Sequence, residues 1–212
     1  MRIREAAAGD GDVIGSVHER SVRQLAADAY DDAVVEAWVT LPDDDSGDTD
    51  DQADDVDDEG EDTDETDGAD DAADESDTHA DDSVGVQPDD GRLFVAEVPA
   101  DDGAGARMIA GFGDVRFEPP EYLDEPADGG IRAVYVDPDH AGEGVGSALL
   151  RRLEVEARDE GLDSLGFLAS VNARGFYERH GYEAISERRF DFGDGVEGPA
   201  VEMRRELDAN RE

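Results

Sequence analysis

The stretch 134–157, VYVDPDHAGEGVGSALLRRLEVEA, constrains this chain more than any other. An apolar run of strand character ends at Asp137-Pro138. Gly142, Gly144 and Gly146 follow at alternate positions, and an amphipathic helix is expected over 147–160. Each ordered glycine costs backbone entropy, so three of them at one strand-to-helix junction require a reason. Backbone N–H groups at a helix N-terminus, unobstructed by side chains and aided by the helix dipole, suit an anion. The junction therefore reads as a phosphate cradle. Two cradles are excluded: a Walker loop needs a lysine, which this chain lacks, and a dinucleotide fingerprint needs G-x-G-x-x-G, whereas the third glycine here arrives one residue early.

The surrounding sequence supplies a consistent set of elements. "MRIREA" alternates Ile3 inward with charges outward, a first short strand. Val13, Ile14, Val17, Val22, Leu25 and Ala26 fall near helical spacing, with Asp10 or Asp12 as the cap. "DDAVVEAWV" is a second short helix ahead of Pro42, and "RLFVAEV" with "RMIAGFGDVRF" forms a hairpin around an Asp-Asp-Gly-Ala-Gly turn. "IRAVYV" and "LDSLGFLAS" are strands flanking the long helix, "ARGFYERHG" is a short helix stopped at Gly181, and "YEAISERRFDF" and "PAVEMRREL" close the chain around Gly-Asp-Gly. The order β-α-α-β-β-β-α-β-α-β-β predicts an α/β fold with a mixed, mostly antiparallel central sheet and helices on both faces.

Residues 43–90 stand apart, with 25 acidic and no basic positions and almost no large apolar side chain. Such a segment cannot bury enough surface to offset its ordering entropy, so it reads as an acidic, low-complexity, disordered insert within one domain spanning 1–212. Its spacing matches no EF-hand, and it is taken as a solvated loop rather than an ion site. The rest of the chain is acidic too, with 35 acidic and 18 basic residues, and every basic residue is an arginine. A carboxylate-rich, lysine-free surface is expected of a halophilic protein in concentrated intracellular salt. Nucleic-acid binding, which needs a basic footprint, is disfavoured. No cysteine is present, no run approaches the length of a membrane span, and no leader-like segment opens the chain, so a cytoplasmic protein off the membrane is expected. His18, His79, His140 and His180 show no ligand spacing, and no metal site is expected.

The junction resembles the pyrophosphate loop of the GNAT N-acetyltransferase superfamily, whose motif Arg/Gln-x-x-Gly-x-Gly/Ala follows a strand ending in Val-x-Pro. Here these are Ala141-Gly142-Glu143-Gly144-Val145-Gly146 and Val136-Asp137-Pro138. "ARGFYERHGYE" is similar to the family's Ala-x-x-Phe-Tyr-Glu-x-x-Gly-Phe signature, and the opening "SVRQLAADAYDDAVVEAWV" resembles a small prokaryotic subgroup. The resemblance implies the GNAT fold, with acetyl-CoA in a V between parallel strands 131–137 and 163–169. Its pantetheine would bond backbone near Val134 and Val136, and its pyrophosphate would meet the N–H groups of Ala141 to Ser147: Ala141, Gly142, Glu143, Gly144, Val145, Gly146 and Ser147. It implies direct attack on the thioester by an amine, of a small molecule or a protein, with Tyr177 as general acid for the CoA thiolate, and leaves a homodimer as the assembly to test.

Departures from the family pattern are visible as well. Ala141 replaces the usual loop-bracing Arg or Gln, Glu143 puts a carboxylate where many relatives carry a cation, and Asn172 precedes Tyr177 by five positions rather than seven. The related subgroup often carries an acidic residue where this chain has Arg132, which leaves Glu118, Asp114 or a water relay as candidate bases. Arg151 and Arg152 are candidates for the 3′-phosphate, and Tyr30 and Trp38 lie where the family builds its substrate wall. A non-catalytic acyl-CoA sensor, or an interaction protein acting through its acidic loop, are the alternative functions.

Overall fold

The computed structural model describes residues 1–40, 90–100 and 105–207. The elements run in the expected order: β1 (Arg2–Glu5), α1 (Gly11–Ser21), α2 (Asp32–Thr40), β2 (Gly91–Pro99), β3 (Arg107–Arg116), β4 (Gly129–Val136), α3 (Val145–Asp159), β5 (Ser164–Ser170), α4 (Arg174–Arg179), β6 (Glu183–Asp191) and β7 (Glu197–Glu206). The acidic segment 43–90 lies outside the described residues except for Asp90. That residue is held in a turn: its carboxylate accepts from Arg116 at 2.9 Å and its carbonyl accepts from Phe117 N–H at 2.7 Å.

The strands form one seven-stranded sheet in the order β1-β2-β3-β4-β5-β7-β6. Every neighbouring pair is antiparallel except β4 with β5. Helices cover both faces. On one face α3 buries Leu149, Leu150, Leu153 and Ala157 against Phe94, Val115, Leu165, Phe167 and Met203. Each of the three leucines contributes roughly 1.5–3 kcal/mol by leaving water. On the other face Ile14 and Val17 of α1 pack on Leu93, Val95, Ile109 and Phe112.

Two details of the first helix differ from the sequence reading. Asp10 precedes α1 but makes no side-chain cap bond. Its carboxylate instead accepts from Arg4 Nη1 at 2.6 Å and Nη2 at 3.0 Å, and this pairing holds it below the usual carboxylate range. After Ser21 the helix widens into a π-helical segment, Val22–Ala26. The change of period turns Leu25 outward, so it is exposed, as Val13 is, while Val22, Ala26 and Ile14 stay buried. Val22, Ala26, Tyr30, Val34, Val35 and Phe192 make a third apolar cluster, against which Trp38 and Tyr135 pack.

Candidate functional site

The two parallel strands pair only at Gly129↔Leu165 and Gly130↔Gly166, and then diverge. What holds the far arm of β5 away is Tyr30, in the segment joining α1 to α2. Its hydroxyl accepts the Val171 N–H at 3.0 Å and donates to the Pro199 carbonyl at 2.8 Å. The Val171 N–H, just past β5, is thereby satisfied without β4. Asn172, just past β5, adds a bond from Nδ2 to the Leu25 carbonyl at 2.7 Å in the π-helical segment.

Between the strands lies a cleft of about 210 Å³. Its walls include Val134, Tyr135 and Val136 of β4, Phe167 to Ser170 of β5, Trp38 of α2, Gly146 of α3, and Phe176 and Tyr177 of α4. Tyr177 is buried, with its ring edge on Phe167 at 4.7 Å between centroids. Burial pushes its phenol well above the ordinary tyrosine value, and the neighbouring Tyr135 adds to the shift. Tyr135 stacks on Phe112 at 5.2 Å and accepts a hydrogen bond from the Trp38 indole N–H at 2.9 Å. Trp38 thus serves both as wall and as packing, whereas Tyr30 is a buried tie behind the wall.

The glycine junction reaches the cleft at Gly146. Gly142 and Gly144 have φ of 81° and 87°, a left-handed conformation that side-chain-bearing residues rarely adopt, and Gly144 is the N-cap of α3. Gly146 lies where the helix crosses β4 and α4, and an added Cβ there would make ordinary contacts with Val136 at 3.4 Å and Phe176 at 3.5 Å. The helix begins at Val145, earlier than expected, and its first backbone bond runs from Ala148 N–H to the Gly144 carbonyl at 3.0 Å. The N–H groups of Val145, Gly146 and Ser147 therefore have no intrahelical acceptor, as at any helix start.

Ala141 leaves the loop without its own brace, and a brace arrives from α1. Arg20 ion-pairs with Asp137 and, at 3.0 Å, with Asp139, while Asp137 also accepts the Asp139 N–H at 3.0 Å. Glu143 is engaged by His140 Nδ1 at 2.9 Å. Arg152 pairs with Glu156 at 2.6 Å and lies over the Phe94 ring at 4.4 Å, whereas Arg151 is exposed on α3. Neither carboxylate considered as a base lines the cleft: Asp114 is buried in β3 and accepts from Arg116 at 3.1 Å, and Glu118 is exposed. Among the described residues no cluster of His, Asp and Glu is arranged to hold a metal ion, and no helix is long and apolar enough to cross a membrane. Sequence reasoning missed Arg20 as a brace and Tyr135 as a cleft residue. Tyr135 was signalled only by its alternation with Val134 and Val136 along β4.

Residues 54–182, more than half of the sequence, match the Acetyltransferase (GNAT) family. The chain belongs to the GNAT acetyltransferase family. Solved structures similar to this GNAT chain include the GCN5-related N-acetyltransferase "Aminotransferase, Class-II" of Rhodopseudomonas palustris, 22% identical over 97% of this chain and 95% of that one, with a TM-score of 0.65. PaiA N-acetyltransferase of Thermoplasma acidophilum, solved in complex with coenzyme A, is 14% identical over 97% and 98%, at 0.56. YncA of Salmonella typhimurium, solved with its cofactor acetyl-CoA, is 18% identical over 100% and 96%, at 0.51. At these identities the likeness establishes the fold, a mixed α/β acyltransferase sheet. No curated protein matches the sequence.

Proposed function

We propose that this GNAT protein transfers an acetyl group from acetyl-CoA directly to an amine, with Tyr177 as the general acid. The observation that carries the reading is a buried tyrosine set between two strands that part after two residue pairs, beside a helix N-terminus opened by glycines. Unpaired backbone near Val134 and Val136 offers hydrogen bonds to the amides of a pantetheine arm. The N–H groups of Gly142 and of Gly144 to Ser147 are open to an anion without side-chain obstruction, since Gly142 and Gly144 carry none and Ala141 little, whereas the Glu143 N–H is donated to the His140 carbonyl at 3.3 Å. Glu143, tied to His140, is the one carboxylate of the loop. The CoA and acetyl-CoA held by PaiA and YncA support the same assignment.

In the reaction the amine nitrogen attacks the thioester carbonyl carbon, a C–N bond forms and the C–S bond breaks. The excess ammonium proton goes to water, since among the described residues no carboxylate lines the cleft, and the departing thiolate takes a proton from the Tyr177 hydroxyl. A phenol raised in pKa is a weak acid in water. The desolvation that raises it acts on the thiolate as well, which keeps the transfer favourable where it occurs.

Tyr177→Phe tests this, because it keeps the ring and its contact with Phe167. Turnover is expected to fall on the order of 10²-fold or more, with acetyl-CoA affinity by calorimetry unchanged; full turnover in the variant would remove Tyr177 from the mechanism. The pH profile is a second check. Because the phenol is raised above its ordinary value of about 10, it stays protonated as pH rises. The rate should climb as the amine loses its proton and show no falling limb from Tyr177 below about pH 10.

The single-domain organisation with an acidic insert, a cytoplasmic location and adaptation to concentrated salt complete the proposal. They are supported by the composition and by one continuous sheet on both sides of the insert.

A further inference from the structure

The loop that would seat the CoA pyrophosphate carries two carboxylates at its foot, Asp137 and Asp139, between the end of β4 and Gly142. A fixed negative charge beside the seat of a polyanion opposes binding, so their place there needs a reason. The apex of the loop gains no shape from packing: beyond its chain neighbours, a Cβ added at Gly142 or Gly144 would meet no described residue within 4 Å. The His140–Glu143 tie is internal to the loop and does not join it to the rest of the protein.

The foot is held differently. Pro138–His140 make a single 3₁₀ turn, in which His140 N–H donates to the Asp137 carbonyl at 2.9 Å and Ala141 N–H to the Pro138 carbonyl at 3.2 Å. Asp137 is buried. Its N–H donates to the Ala110 carbonyl of β3 at 2.9 Å, and one carboxylate oxygen accepts the Asp139 N–H at 3.0 Å. The other oxygen accepts from Arg20 Nη1, while Arg20 Nη2 donates to the Asp139 carboxylate at 3.0 Å. One guanidinium therefore bridges both carboxylates of the turn, and it comes from α1, a helix anchored on the sheet by Ile14 and Val17. A planar fork on two acceptors fixes orientation as well as distance.

We propose that Arg20 is a positioning residue for acetyl-CoA: by gripping Asp137 and Asp139 it holds the 142–147 loop in the shape that presents its N–H groups. The two carboxylates are the handles of that grip, and Arg20 acts through them rather than on the phosphates. A loop already ordered spares the ligand the cost of ordering it. This rests on the acetyl-CoA reading above and deepens its cofactor end.

The test turns on a sign. Asp139 is 76% exposed, so Asp139→Ala should fold, and it leaves the Arg20–Asp137 pair in place. Charge alone predicts that losing this aspartate tightens the binding of a polyanion, whereas loss of a handle weakens it. Acetyl-CoA is titrated calorimetrically, at one fixed salt concentration, into wild type, Arg20→Gln, Asp139→Ala and the double variant. Arg20→Gln is expected to weaken affinity about tenfold and Asp139→Ala about threefold, with the double variant no weaker than Arg20→Gln, as befits two groups acting as one. Hydrogen exchange at the amides of 139–147 should quicken in Asp139→Ala while that of β3 stays unchanged. Tighter or equal binding by Asp139→Ala overturns the proposal, as do equal binding by Arg20→Gln, losses that simply add, or faster exchange throughout β3. Should Arg20→Gln not fold, because it strands the buried Asp137 carboxylate, the sign of the Asp139→Ala effect decides. No binding by the folded wild type would fail the acetyl-CoA reading and the proposal with it; wild-type binding that the variants leave unaltered overturns the proposal alone.

Discussion

The two ends of the cleft are built from different materials. The end near α3 is backbone: a helix start and two left-handed glycines. The end near α1 and α2 is made of side chains, with Trp38 bonded to Tyr135 and Tyr30 bonded across to Pro199 and Val171. Backbone donors are indifferent to side-chain identity, so the first end tolerates Ala141 and Glu143, two departures from the family motif. The second end depends on the identity of its side chains.

Substitutions that separate the two ends sharpen that contrast. The largest effect is expected from Gly144→Val, which forces a β-branched residue into φ near 87° at a cost of about 1–3 kcal/mol. Acetyl-CoA affinity should drop roughly tenfold or more by calorimetry, and an unchanged affinity would mean that the loop is not the phosphate site. Trp38→Phe removes the indole donor to Tyr135 while keeping an aromatic wall. The acceptor KM should rise about threefold to tenfold, as befits the loss of one hydrogen bond, with acetyl-CoA binding untouched. Parallel losses for both ligands would mean that the two ends are not separable. The smallest effect is that of salt. CoA and the chain are both strongly anionic, and the screening length falls from about 10 Å at 0.1 M to about 3 Å at 1 M. Acetyl-CoA should therefore bind a few-fold more tightly as KCl rises, and affinity that falls steadily at constant fold would contradict it.

The same contrast explains what could be read in advance. The element order, the glycines ahead of α3 and the place of Tyr177 on α4 were legible because each depends on local pattern: alternation, helical spacing and two motifs in short windows. The side-chain end was not, because its partners are far apart in sequence: 97 positions for Trp38 and Tyr135, 117 for Arg20 and Asp137, and 169 for Tyr30 and Pro199. No periodicity signals such pairs. Leu25 was misread for a local reason. Helical spacing was extended through residues where the helix widens, which rotates that side chain into water. The base candidates Asp114 and Glu118 were chosen for strand position alone. Burial with Arg116 removes one from the cleft, and exposure beyond the strand removes the other.

Sheets ordinarily carry their unpaired edges at the rim, where charges and short strands guard them against joining other chains. The parting of β4 from β5 gives this sheet an edge in its interior, along the cleft. An extended molecule with amide groups of its own can act there as the missing strand, so ligand binding and completion of the sheet become one event. The ligand-loaded protein should then resist unfolding as a seven-stranded body without a seam, and the free protein should open first between Ile131 and Phe167.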